Sequence, residues 1–174
     1  QSELTTEFNI IENLKPLLYD IKLEICQQTA LSLGRIKSDE AIAELGNILN
    51  KETTPIKLRK AVLQGLSWTE SPQALTYLKQ ELFRENLEVC LIVIPLLGTQ
   101  KSEIVRHQAS QILIDFWASK IPISQQPKIK QEIAVSLGEL GGETAIAYLK
   151  KLANDPNKSV KLHAIAGLKK AGIK

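Results

Sequence analysis

Residues 129–141 read IKQEIAVSLGELG, and a degenerate copy, VKLHAIAGLKKAG, follows at residues 160–172. The same frame also begins at residues 25, 56 and 89, so successive copies start 31, 33, 40 and 31 residues apart. Recurrence at a period in this range is typical of solenoid proteins, in which each copy is one supersecondary element that stacks on the next. The pattern therefore predicts a stack of about five repeats.

The composition indicates that these repeats are helical. Hydrophobic residues make up 44% of the 174 residues but aromatic residues only 5%, and the excess lies in Leu, Ile and Ala, which favours helices packed on helices. The longest apolar stretch, residues 91–97, is much shorter than the roughly 18 residues of a membrane-spanning helix. We predict an all-α fold with no membrane span.

Each repeat is predicted to contain two antiparallel helices, A and B. The A helix carries the motif and is expected to end at the glycine or lysine after its last leucine, as at Gly34 and Gly138. Asp155-Pro156 precedes Val160 by five residues, which predicts an N-cap at the start of an A helix. Serines at the corresponding turns predict the N-caps of B helices: Ser38, Ser71 and Ser102.

Several short pairs in this pattern resemble a known family. They are the hydrophobic-basic pairs Ile56-Lys57, Ile129-Lys130 and Val160-Lys161, the pairs Leu33-Gly34, Leu97-Gly98 and Leu137-Gly138, and the cap Asp155-Pro156. The chain resembles the HEAT repeats, specifically the short bacterial type of the phycobilisome lyase-like HEAT proteins, over about residues 20–172. In two repeats Cys26 and Cys90 stand where that family usually has Arg or Lys.

The resemblance implies that residues 1–174 form a single HEAT-like repeat domain, a right-handed α-solenoid (α-α superhelix) of about five two-helix repeats, which we expect to be a fragment of a longer protein. The repeats are predicted to start near residues 20, 52, 86, 125 and 156, and residues 1–18 to be the remnant of a preceding repeat. Residues 102–117 are interpreted as a long B helix followed by an inserted loop. Residues 3–14 carry apolar side chains at helical spacing and are predicted to be a B helix.

The charge pattern limits the classes of partner. A net charge of +3 does not by itself indicate nucleic acid. Residues 1–24 contain five acidic residues and two lysines, whereas residues 150–174 contain seven lysines and one aspartate. These ends are either solvated helix faces or, at the basic end, a surface for an acidic neighbour. No signal sequence opens the chain and neither cysteine is in a CxxC spacing, which predicts a cytoplasmic protein.

Candidate chemical sites are sparse. His107 and His163 lie in different repeats without a partner at ligand spacing, so no metal, cofactor or catalytic residue is predicted. Cys26 and Cys90 are predicted to be small buried side chains. The sequence favours a protein without catalytic activity and leaves the question open.

The B helices provide the predicted binding surface. The resemblance implies that B helices line the concave face on which HEAT-type stacks bind partners. Tyr77 and Tyr148 take the same B-helix position, and Glu44 takes it in an earlier repeat. The predicted partner-binding residues are Glu44, Tyr77, Gln80, Arg106, Gln108, Tyr148 and Lys151.

Three functions are compared. The first is a non-catalytic protein–protein interaction scaffold that binds a partner along the concave B-helix face. The second, implied by the resemblance, is a phycobilisome lyase-like protein that assists bilin attachment or removal, with a phycobiliprotein as partner. The third is a HEAT-like DNA-binding protein or glycosylase that uses Trp117, Arg106 and Asp115. The small number of basic residues along the other B helices disfavours it. The C-terminal helix could also pair with a second copy of the chain.

Overall fold

The computed structural model describes residues 10–172, and within them all regular secondary structure is helical. The helices are α1 (Leu23–Ile36), α2 (Asp39–Leu49), α3 (Ile56–Thr69), α4 (Pro72–Leu82), α5 (Leu87–Gly98), α6 (Glu103–Ala118), α7 (Pro127–Leu140), α8 (Gly142–Leu152) and α9 (Lys158–Lys170). Two 3₁₀ helices, Lys15–Tyr19 and Pro122–Gln125, precede α1 and α7.

Helices that carry the repeated motif alternate with the predicted second helices. The odd-numbered helices α1 to α9 contain the A motif, and the even-numbered helices α2 to α8 correspond to B. The long B helix expected at residues 102–117 is α6, and the inserted loop after it contains a 3₁₀ helix. The predicted all-α class is confirmed.

The chain divides into two compact units, Gln1–Tyr77 (unit 1) and Leu78–Lys174 (unit 2), and the division falls inside α4. Residues 10–14 are helical, as expected for the predicted first B helix. The rest of that prediction, residues 3–9, lies outside the described residues, as do residues 173–174.

The core of unit 1 comes from one apolar stripe on each of α1, α2 and α3. Leu33, Ile42, Leu45, Leu63 and Leu66 are each at most 1% exposed. Within α2 and α3 these residues are three apart, so they face the same side of their helix. Each stripe is covered by the neighbouring helices, as the repeat pattern requires.

Backbone contact between α1 and α3 explains the recurring glycine in unit 1. A Cβ atom added to Gly34 would lie 2.4 Å from Cα of Gly65, and one added to Gly65 would lie 2.7 Å from the carbonyl oxygen of Ala30. Helices approach this closely only where a side chain is missing. The predicted helix end at Gly34 is therefore wrong: α1 continues to Ile36, and the glycine serves the contact.

Unit 2 repeats this contact between α7 and α9. A Cβ added to Gly138 would lie 2.7 Å from Cα of Gly167. The predicted end of the A helix at Gly138 is also wrong, because α7 continues to Leu140. Between α5 and α7 a serine takes part instead: Ser136 Oγ donates a hydrogen bond of 3.0 Å to the carbonyl oxygen of Ile94.

The serine caps of the B helices are confirmed at two turns. Ser38 Oγ accepts a hydrogen bond of 3.2 Å from the amide of Ala41, and Ser71 Oγ accepts one of 3.2 Å from the amide of Gln73. Ser102 takes the N-cap position of α6 without a side-chain hydrogen bond. The local sequence thus sets where these helices begin.

The cap predicted at Asp155 is displaced by two residues. Asn157 caps α9, since its Oδ1 accepts hydrogen bonds from the amides of Ser159 and Val160 at 3.0 and 3.2 Å. Asp155 accepts from the amide of Asn157 at 2.9 Å and pairs with Lys130 Nζ at 2.7 Å. Asp155 therefore shapes the turn before the helix instead of capping the helix.

The most apolar stretch of the sequence, residues 91–97, lies within α5. Val93 and Ile94 are 0% exposed, as expected of a core helix. In the part of the chain that the structure describes, no helix combines the length and the apolar character needed to cross a bilayer.

Candidate functional site

The predicted binding residues are divided between the two units. Glu44 and Tyr77 belong to unit 1, and the other five belong to unit 2. Glu44 is half-buried on α2, and its carboxylate lies 3.4 Å from Lys15 Nζ. Hydrogen bonds raise the pKa of Lys15, and the bond to Glu40 has a larger effect than the bond to Glu12. Glu44 thus belongs to an ion-pair cluster inside unit 1.

Tyr77 is half-buried and packs against its own unit. A Cβ added to Gly46 of α2 would lie 2.2 Å from Cζ of Tyr77, so the phenol ring lies directly on bare main chain. This contact gives Tyr77 a structural role in packing within unit 1.

The predicted partner-binding residues of unit 2 do not all lie on one side of their helices. At about 100° per residue, Arg106 and Gln108 point about 200° apart around α6. Both are exposed, as is Gln80 on α4. Arg106 lines a cleft against the start of α8, whereas Gln108 lies on the same side of α6 as Asp115. The structure therefore separates Gln108 from Arg106.

Of the predicted binding residues, Tyr148 contacts Trp117, in the last turn of α6, and Lys151 contacts Tyr148. The Trp117 and Tyr148 rings pack edge to face, with centroids 5.5 Å apart and an interplanar angle of 87°. Lys151 Nζ lies 4.3 Å from the centroid of the Tyr148 ring. Gln125 Nε2 donates a hydrogen bond of 2.9 Å to the carbonyl oxygen of Trp117 and fixes the end of the helix. We call Trp117, Tyr148 and Lys151 the aromatic cluster.

The aromatic cluster is suited to binding. Both rings are half-buried and Lys151 is exposed, so a partner would meet two partly desolvated rings and a cation. Edge-to-face packing holds the rings in place, which lowers the entropy lost on binding. The sequence row omitted Trp117. A signal was present, because residues 106 and 117 are 11 apart and lie about 20° apart around a helix.

Two open clefts lie within unit 2. The first, of about 210 Å³, is formed by α6 and the start of α8 and includes Arg106. The second, of about 440 Å³, lies between α5 and α7. In the second cleft Ser136 is bonded to Ile94, and Gln100 Nε2 donates to the carbonyl oxygen of Leu96 at 3.0 Å. The side chains of Ser136 and Gln100 in the larger cleft are therefore already hydrogen-bonded within the protein.

The two histidines lie on different helices. His107 is exposed on α6 and lines the first cleft. His163 is half-buried on α9, with its Nδ1 2.7 Å from the carbonyl oxygen of Ser159 one turn earlier. Among residues 10–172, no three His, Cys, Asp or Glu side chains come together as a metal site would require.

Both cysteines are free and buried, which confirms the prediction. Cys26 Sγ lies 3.2 Å from the carbonyl oxygen of Asp20. Cys90 Sγ lies 3.4 Å from that of Leu82. Burial is the main reason that the pKa of the Cys90 thiol is raised from 9.0 to about 11, and the charge of Glu85 adds to the rise.

Alkylation is expected to reveal this pKa. At pH 8 the raised pKa leaves about a hundredfold less Cys90 thiolate than in the unfolded chain, so native Cys90 should react with iodoacetamide at least that much more slowly. The protonated thiol is the favoured folded form, so its stability contribution is complete below pH 9 and is lost as the pH rises towards about 11. Peptide mass spectrometry of native and urea-unfolded samples measures both rates, and equal rates would contradict the burial.

In comparisons with known proteins, no protein-family model matches the chain. No curated protein matches it either. Among solved structures the chain is similar to human deoxyhypusine hydroxylase in complex with glycerol, with a TM-score of 0.39 and 14% sequence identity over 92% of this chain and 84% of that chain. A likeness of this degree carries no argument about the function of this chain.

Proposed function

We propose that this chain is a non-catalytic interaction module and that unit 2 binds another protein through the aromatic cluster of Trp117, Tyr148 and Lys151. The observation that supports the proposal is the packing of two half-buried rings, 5.5 Å apart, beside an exposed lysine. Tryptophan and tyrosine are, with arginine, the side chains most enriched among residues that dominate binding energy.

The cluster favours a partner segment that carries an apolar side chain next to a carboxylate. The apolar group would cover the rings, and the carboxylate would pair with Lys151, which makes no ion pair among the described residues. Covering the rings would also shield that pair from water and strengthen it.

Selection from a random peptide library tests the proposal without knowledge of the natural partner. Peptides selected on the intact chain should contain Asp or Glu beside an apolar residue. Their affinity for Tyr148→Ala and for Lys151→Glu should be lower by a factor of about ten or more, because each change removes an anchor of the cluster. Fluorescence anisotropy of a labelled peptide measures the affinities.

Gln108→Ala is the matched control, since Gln108 is exposed on the same unit but faces away from the cleft side of α6. Its affinity should equal that of the parent chain. Unchanged circular dichroism of Tyr148→Ala would show that the fold is kept. Selected peptides that bind all four proteins equally would refute the role of the cluster.

The other two hypotheses gain no support from the described residues. A bilin site needs basic side chains for the propionates, yet Glu103 and Glu143 line the first cleft beside Arg106. The glycosylase hypothesis needs Trp117, Arg106 and Asp115 together. Asp115 lies about 180° from Arg106 around α6 and accepts a hydrogen bond from Gln111 at 2.7 Å.

Two expectations from the sequence stay predictions. Self-association through α9 would use its exposed apolar side chains, of which Leu162 is 57% exposed. A cytoplasmic location is proposed because free buried cysteines are typical of reducing compartments.

A further inference from the structure

The first cleft of unit 2 combines features that the aromatic cluster does not use. It has a volume of about 210 Å³, between α6 and residues 141–144 at the start of α8. Clefts for drug-sized ligands usually measure about 300–1,000 Å³, so this one suits a smaller molecule.

Charged side chains of both signs line the cleft without neutralising one another. Arg106 and Glu103 come from α6, and Glu143 comes from α8. All three are exposed, and none forms an ion pair with any described residue. A ligand could therefore pair with both signs at once.

A buried hydroxyl also opens into the cleft. Ser110 is 3% exposed and lines the cleft, yet its Oγ has no hydrogen bond to any described residue. No fully enclosed side-chain nitrogen or oxygen of the described chain lacks a partner, so this Oγ is in part accessible, and Ser110 lines the cleft. Buried hydroxyls nearly always have a partner, and a serine within a helix commonly bonds to the carbonyl four residues earlier. Ser110 Oγ has no partner of either kind.

The start of α8 adds free amide groups. Gly141 is its N-cap, with φ of 64°, and no side chain caps the helix. The first amides of a helix have no partner within the helix and form its positive end. Apart from the neighbouring main chain, no atom lies within 4 Å of where a Cβ of Gly141 or Gly142 would be, so the main chain is accessible there.

We infer that this cleft binds a small zwitterion that carries a carboxylate and an ammonium group, as a free α-amino acid does. The carboxylate pairs with Arg106 and the amides of residues 142–144. The ammonium group pairs with Glu103 and Glu143, and Ser110 Oγ completes the contacts. A simple anion would meet two carboxylates, and a simple cation would meet Arg106 and the positive helix end. The inference does not depend on the proposed partner protein.

Titration of the ¹⁵N-labelled full chain with glycine tests this inference. The amide signals of Gly142, Glu143 and Thr144 should shift and saturate. N-acetylglycine lacks the ammonium group and glycinamide lacks the carboxylate, so each should bind about tenfold or more weakly. These two analogues also represent the C-terminus and the N-terminus of a peptide. Equal binding by either one would overturn the zwitterion assignment in favour of a chain end.

Variants locate the site. Arg106→Gln and Glu103→Gln should each weaken glycine binding about tenfold, and Ser110→Ala by a smaller factor. Gln108→Ala, on the far side of α6, should bind like the parent chain. Amide signals outside the cleft report whether each variant is folded. Shifts that never saturate, or that are the same in Arg106→Gln and Glu103→Gln as in the parent, would overturn the inference.

Discussion

Valine in place of Gly34 is expected to destabilise unit 1 by about 3 kcal/mol or more. Its Cβ would lie 2.4 Å from Cα of Gly65, and the two methyl groups would extend further into α3. The obstacle is main chain, which cannot rotate away as a side chain can. Helices α1 and α3 must therefore separate, which uncovers buried residues such as Leu33.

Urea unfolding of the full chain measures this effect. The chain has two tryptophans, with Trp68 in unit 1 and Trp117 in unit 2. The emission of Trp68 in a Trp117→Phe background therefore reports on unit 1. Ser32→Val, at an exposed position of α1, is the matched control and should cost only a few tenths of a kcal/mol. Gly34→Ala provides a test of sign, since alanine in a helix is normally favoured by roughly 0.5–1 kcal/mol. A stabilised Gly34→Ala would refute the contact.

Replacing Arg59 by methionine should destabilise unit 1 by about 2–4 kcal/mol. Arg59 is 6% exposed. Its Nη1 donates to the carbonyl oxygen of Leu49 at 3.1 Å, and its Nη2 donates to that of Lys51 at 2.9 Å. The Leu49 carbonyl lies at the end of α2, where a helix lacks its own donors. The Lys51 carbonyl lies in the turn that follows, where it also accepts a hydrogen bond of 3.2 Å from the amide of Thr54. Methionine fills a similar volume but leaves these carbonyls without the guanidinium donors.

Lys60→Met is the control for Arg59, because it makes the same replacement at the next residue, which is exposed. Arg59→Lys should also lose most of the stabilisation that the Arg59 guanidinium provides, since an ammonium group cannot reproduce its planar two-pronged geometry. Both are measured by the same Trp68 unfolding curve. If Arg59→Met unfolds at the same urea concentration as Lys60→Met, the bridge to the end of α2 contributes nothing.

Much of the fold was predictable because its signals are local. The motif spacing located the A helices, and Ser38 and Ser71 marked the starts of B helices within one residue. The role of Gly34 was not predictable in this way. A glycine that ends a helix and one that permits a close contact look alike in sequence, and what distinguishes them here is Gly65, 31 residues away.

The candidate sites were predictable only in part. Tyr148 and Lys151 are three residues apart, so their nearness follows from helix geometry. The separation of Arg106 from Gln108 also follows from that geometry and was missed. The contact of Trp117 with Tyr148 depends on how α6 packs beside α8, and so does the cleft around Ser110. No local pattern encodes that packing.

The glycine contacts also explain why the copies in this sequence are so unequal. Main chain is the same in every repeat, so a contact made by main chain needs no matching side chain on its neighbour. After a duplication, the other positions of two copies can drift independently as long as each keeps a bare surface where they touch. Four of the five copies keep glycine at this position, as Gly34, Gly65, Gly98 and Gly138, whereas the last copy has Lys169 there and meets Gly138 through Gly167 instead.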